Sequence, residues 1–221
     1  MTANSKREAV KTMLREQGID WDDLQSECDQ IVLFGSRAVG AETKHSDVDL
    51  LCVGFGRRLK TEEVDLVWYT PEFILSPKWL GSELASHIAA FGVWLHGHDN
   101  WSKYVKVSED AIDFKRHLIC RRIAAMQRTW QHLAPDYRVK HVVKLRRDLQ
   151  RLVIMKAGRA IPATPILDDE WVRMGSSCKA FLELLSESGE PELIRASQLR
   201  LIRDHLPRLD WRYEDSLTAL A

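Results

Sequence analysis

Ile31-Val32-Leu33-Phe34-Gly35-Ser36-Arg37 is an apolar run cut off by two small residues, and with ten residues between it and Ser36 the chain then reads Asp47-Val48-Asp49-Leu50-Leu51-Cys52-Val53. The first run has the length and composition of a strand covered on both faces, and Gly-Ser ends it abruptly. Backbone N–H groups just past such a strand are expected to be unpaired, and small side chains let a phosphate come near enough to use them. Arg37 adds a charge-assisted donor beside that turn.

In the second run acids alternate with apolar residues and then give way to a wholly apolar stretch, as in a strand entering the core from a solvent-facing end. Asp47 and Asp49, at i and i+2, leave that strand on one face. Mg²⁺ needs only a few carboxylate oxygens beside waters and substrate phosphates, so a pair of this kind suits a nucleotide-bound cation. Downstream, Glu63-Val64-Asp65-Leu66-Val67-Trp68-Tyr69 repeats the pattern, and either Glu63 or Asp65 completes a cluster of three carboxylates. Three carboxylates hold two cations and take a proton from an attacking hydroxyl, the arrangement used in two-metal phosphoryl and nucleotidyl transfer.

Gly-Ser, ten residues, Asp-x-Asp, and a later Asp before an apolar pair together resemble the nucleotidyltransferase superfamily typified by DNA polymerase beta. Within it the chain is most similar to the minimal and aminoglycoside-type bacterial nucleotidyltransferases. The resemblance covers roughly the first hundred residues and departs from many relatives at Val39, where they carry a second Arg. It implies that Gly35 and Ser36, with Arg37 beside them, hold the triphosphate, and that Asp47 and Asp49 bind two Mg²⁺. It also implies that Asp65, directly ahead of Leu66-Val67, is the third, catalytic and metal-binding carboxylate. The donor it implies is ATP or another NTP.

With 221 residues, 45% of them hydrophobic, the chain holds one large domain or two small ones. No segment approaches the roughly 18 consecutive apolar residues of a membrane span, and the polar start lacks the apolar core of a signal peptide, so a cytoplasmic protein without a membrane partner is expected. Cys28, Cys52, Cys120 and Cys178 have no zinc or disulfide spacing and are expected as buried thiols. Net charge is zero, yet Lys115 to Arg159 carries thirteen Lys or Arg against only Asp136 and Asp148. Such a bias predicts a cationic helical surface facing an anion.

Apolar periodicity predicts a helix ending near Gly18 with a further turn at Trp21–Leu24, then strands near 31–34, 48–53 and 64–69. Gly54–Lys60 reads as a turn with solvated charges. A helix is expected from Ser82 to Leu95, and others from Ser108 to about Leu133, from Pro135 to Gly158, and at about 168–186 and 191–206. The fold expected is therefore α/β: a small mixed-sheet nucleotidyltransferase domain at 1–98 followed by an all-α helical bundle at 104–221.

The reaction expected is Mg²⁺-dependent transfer of a nucleoside monophosphate, by family frequency AMP from ATP, to an acceptor hydroxyl with release of pyrophosphate. The acceptor is a small molecule, a tRNA or other nucleic acid, or a protein. Asp168-Asp169-Glu170, in the first turn of its helix, is the candidate for binding the amines of a small acceptor. Lys140, Lys144, Arg147 and Arg151, on one helix face, are the candidate for a phosphate backbone. Arg200 and His205 match the Arg-x4-His spacing of a helical ribonuclease family. The alternatives on the same fold are a non-catalytic regulatory or partner-binding protein and an antitoxin-like protein nucleotidyltransferase.

Overall fold

The computed structural model describes residues 2–44 and 46–188. They form two compact units, one of the described residues up to Ser108 with Ala160–Ile166, the other of Glu109–Arg159 with the described residues from Leu167 to Ser188. No helix among the described residues is long and apolar enough to cross a membrane.

The first unit opens with α1 (Ala3–Glu16) and α2 (Trp21–Ser26), started by Thr2 and Asp20, whose side chains accept N–H groups of the first turn. Each such cap is worth about 1 kcal/mol. Then follow β1 (Cys28–Phe34), α3 (Gly35–Val39), β2 (Val48–Gly54), β3 (Leu59–Lys60) and β4 (Val64–Tyr69). Two Pro-initiated turns, α4 (Pro71–Ile74) and α5 (Pro77–Leu80), lead to α6 (Glu83–Phe91) and β5 (Val93–His96). The sheet order is β3-β4-β2-β1-β5, with β2 and β4 parallel and the other neighbours antiparallel.

Each face of this mixed sheet is covered, which is why its central strands are nearly all apolar. On one face Val10, Leu14, Trp21 and Leu24 pack against Ile31, Leu33, Leu50, Cys52 and Leu66. On the other, Ile74, Trp79, Ala85, Ile88 and Trp101 pack against Val32, Leu51 and Val53. Cys28 and Cys52 are buried as expected, and a hydrogen bond with Cys28, together with burial, pushes the Cys52 thiol up.

Two boundaries differ from the sequence expectation here. The helix from Ser82 stops at Phe91, because Gly92 is extended and a Cβ there would lie 2.6 Å from the Ile88 carbonyl oxygen. Val93 and Trp94 then pair with Leu33 and Val32, so an edge strand takes residues whose spacing also suited a helix. Leu59 and Lys60, read as part of a turn, form an edge strand against Leu66 and Asp65. A two-residue strand is too short to leave a periodic signal.

The second unit is helical: α7 (Glu109–Thr129), α8 (Pro135–Lys156), α9 (Thr164–Arg173, beginning in the first unit's segment) and α10 (Cys178–Glu187). The helix expected at 168–186 is thus two, parted at Gly175 and Ser176, both with positive φ. The expected helix at 191–206 and the Arg200–His205 spacing lie outside the described residues.

Several of the thirteen charges are spent inside this unit. Lys115 and Arg122 each reach Asp148 at 3.1 Å. Arg146, almost wholly buried, donates to Asp168 at 2.8 Å and to Gln150 at 2.9 Å, and lies over the Trp171 ring. Arg147 also donates to Asp168, at 2.8 Å from Nε, which leaves the stripe Lys140, Lys144, Arg147 and Arg151 with a partly neutralised middle. Asp168 sits in the second turn of α9 rather than its first, with its carboxylate taken by two guanidiniums, so the acidic cluster read for amines is not a free one.

Candidate active site

Strand register brings the acids together. Asp49 is the Cα partner of Asp65 across the parallel β2–β4 pair, and of Phe34 across β1–β2. Residues in register on neighbouring strands project to the same side, so Asp49 and Asp65 stand next to each other. Asp47 lies one residue before β2, and its charge is felt by Asp49. Glu63 falls two residues before Asp65, is exposed, and accepts from Gln17 at 2.6 Å.

Beside the acids, Gly35 begins α3 with φ +73, a conformation that favours glycine. A Cβ on Gly35 would come within 2.2 Å of Asp49 Oδ2, so a larger residue there would have to push the carboxylate aside as well as take up the strained positive φ. The turn is braced from two sides, by His87 and by Lys6. The Gly35 N–H donates to His87 Nε2 at 3.3 Å, and His87 Nδ1 donates to the Ile161 carbonyl at 2.8 Å. Those two bonds fix the imidazole as the neutral Nδ1–H tautomer. Lys6 donates to the carbonyls of Arg37, at 3.2 Å, and Ala38.

The Gly35 N–H is thus not the free donor the sequence led us to expect. No hydrogen bond of the Ser36 hydroxyl is formed among the described residues, and that group remains available to a ligand. Arg37 gives its guanidinium to the Ser46 carbonyl, at 2.6 and 3.1 Å, and to that of Asp47 at 3.1 Å. It therefore positions Asp47, a part that its sequence context does not reveal.

Electrostatics tie the three carboxylates into one cluster. Burial first, then the charges of Asp47 and Asp65, push Asp49 up to about 7. Burial also acts to raise Asp65, but the hydrogen bonds from Lys60 (2.6 Å) and Arg58 (3.1 Å) prevail and hold it below the usual carboxylate range. Lys60, Arg58, His87 and Lys6 were all missed by the sequence expectation, since none belongs to a motif and each acts through a partner distant in sequence or through the pairing of a short edge strand and the residue before it.

The raised Asp49 gives a stability prediction. Between its ordinary value of 3.8 and about 7, the folded chain keeps a proton on Asp49 that the unfolded chain has lost. Metal-free stability should therefore fall as pH rises through that window and level off above it, with an upper bound of about 4 kcal/mol. Thermal melts of the protein and of Asp49→Asn from pH 4 to 8 check this: the fall should flatten in the variant. Superimposable profiles would count against the clustering.

Among the described residues, no three His, Cys, Asp or Glu side chains gather closely enough to cage a metal ion by themselves. The donor set nonetheless fits a hard divalent cation. Asp47 and Asp49 offer oxygens in a half-buried site whose mutual repulsion a cation would relieve, and Mg²⁺ completes its shell with waters and phosphates.

Residues 21–79, the segment from α2 through α5, match the nucleotidyltransferase domain family. No curated protein matches the chain. Among solved structures, a nucleotidyltransferase-like protein from Exiguobacterium sibiricum 255-15 is similar at 16% identity and a TM-score of 0.36, over 96% of this chain and 92% of its own. A toxin-antitoxin crystal structure with AMP-PNP is similar at 20% identity and a TM-score of 0.29, over 56% of this chain and 98% of that one. Likenesses this distant say nothing about substrates. With the family match falling on the Gly-Ser turn and on all three aspartates, the chain carries a nucleotidyltransferase domain.

Proposed function

We propose that the first unit moves a nucleoside monophosphate from an NTP, ATP by preference, to an acceptor hydroxyl and releases pyrophosphate, with Mg²⁺ held by Asp47, Asp49 and Asp65. The observation that carries this reading is the register pairing of Asp49 with Asp65 beside the Gly35 backbone, which abuts the Asp49 carboxylate. When bound, Mg²⁺ supplies charge for the leaving pyrophosphate and acidity for the acceptor hydroxyl. In the transfer the acceptor oxygen bonds the α-phosphorus, the α–β phosphoanhydride bond breaks, and the hydroxyl proton passes to a carboxylate or to water.

The chain's own residues prepare that geometry. His87 and Lys6 fix the Gly35–Val39 turn, Ser36 offers its hydroxyl to a phosphate oxygen, and Arg37 sets the backbone from which Asp47 projects. Asp65 stays ionised at neutral pH, as a ligand or proton acceptor must.

The test is incubation with each α-labelled NTP, Mg²⁺ and a cell extract, followed by fractionation into small molecules, RNA and protein. Label in one fraction, with Mg²⁺-dependent pyrophosphate release, is expected and identifies the acceptor class. Absence of both would contradict the reading. Ser36→Ala should weaken NTP binding about fivefold, the worth of one hydrogen bond, with little change in melting temperature. Titration calorimetry checks it, and an unchanged affinity would leave Ser36 as a turn residue only.

A further inference from the structure

Lys60, Asp65 and Asp49 are consecutive Cα partners across three neighbouring strands, β3, β4 and β2. The edge strand β3 therefore delivers an ammonium onto the carboxylate that stands beside Asp49. Lys60 Nζ lies 2.6 Å from Asp65 Oδ2, and Arg58 Nη2 lies 3.1 Å from the same oxygen. Exposure differs sharply across these pairs: the Asp65 side chain is 9% exposed, those of Lys60 and Arg58 57% and 64%. A fixed anion is thus held by two long, solvent-bathed cations that are free to leave it. Together they carry the charge of one divalent cation, and the Lys60 charge is favoured by Asp47 and Asp49 as well as by Asp65.

We propose that Lys60, assisted by Arg58, stands in for a divalent cation on Asp65, so that cation binding and release of the Lys60 ammonium are one exchange. The inference rests on the proposed metal-dependent transfer and adds a regulatory step to it. Pairs whose cations stay in solvent hold less tightly than fully buried ones, so the exchange is reversible and needs no movement of the sheet. The cation-free cluster is thereby kept close to neutral, which limits the repulsion that three adjacent carboxylates would otherwise exert. Once displaced, Lys60 remains at the mouth of the site, next to where an NTP's phosphates would lie.

Manganese is the probe, because its binding is read directly by electron paramagnetic resonance without nucleotide or turnover. Lys60→Met should bind Mn²⁺ about fivefold more tightly than the unaltered protein, since the competing ion pair is gone. In the unaltered protein, reductive methylation of Lys60 by formaldehyde should speed up when Mn²⁺ is added, and Asp49→Asn should abolish that acceleration. Equal or weaker Mn²⁺ binding in Lys60→Met, or methylation indifferent to Mn²⁺, would overturn the exchange while leaving the metal site standing. No Asp49-dependent Mn²⁺ binding in any form would overturn both the exchange and the proposed function beneath it.

Discussion

Asp49→Asn should cut nucleotidyl transfer by about a thousandfold, roughly 4 kcal/mol of transition-state stabilisation, while the protein stays folded. The substitution keeps the size of a side chain that fits between Gly35 and the register partner Asp65, and it removes the charge a cation needs. It also relieves a carboxylate that burial and two like charges make costly to ionise, so at pH 8 the metal-free variant should melt higher than the parent. Loss of activity with a gain in stability marks a residue kept for chemistry rather than for folding. Normal turnover in a folded variant would remove Asp49 from the site.

Asp148→Ala should have the opposite signature, a loss of about 3 kcal/mol in unfolding free energy. Asp148 and Lys115 are both almost wholly buried and 3.1 Å apart, and Arg122 approaches the second carboxylate oxygen. Removing the acid takes from two cations the ion pair that offset their desolvation, which is the costly way to break a buried pair. Denaturant unfolding followed by tryptophan fluorescence measures the change, and a shift under about 0.5 kcal/mol would mean that the unit tolerates the loss of this acid. The contrast with Asp65 is one of environment. Its partners are exposed and exchangeable, whereas Asp148 is paired with the buried Lys115 and the half-buried Arg122.

Much of the first unit was legible because its signals are local. An apolar tetrapeptide ending in Gly-Ser, and acids at i and i+2 ahead of an apolar run, specify strands and the ends at which their polar groups emerge. Preference for Asp65 over Glu63 came from resemblance to a family. In the structure Asp65 stands in register with Asp49, while Glu63 is exposed and accepts from Gln17.

What stayed hidden depends on pairing between segments distant in sequence. Val93–His96 satisfies helical spacing equally well, and only its partners on β1 make it a strand. His87 lies in an apolar helix where nothing announces that it receives the Gly35 N–H from 52 residues away. The basic stretch from Lys115 to Arg159 overstated the cationic surface, because composition cannot tell a solvated Arg147 from one bound to Asp168.

Paramagnetic broadening of assigned backbone amides by Mn²⁺ with a non-hydrolysable ATP analogue tests most directly whether the turn and the three aspartates are one nucleotide–metal site. The Gly35, Ser36, Asp47, Asp49 and Asp65 signals should broaden together at substoichiometric Mn²⁺, and far less in Asp49→Asn. Broadening centred elsewhere, or none at these five residues, would contradict the account.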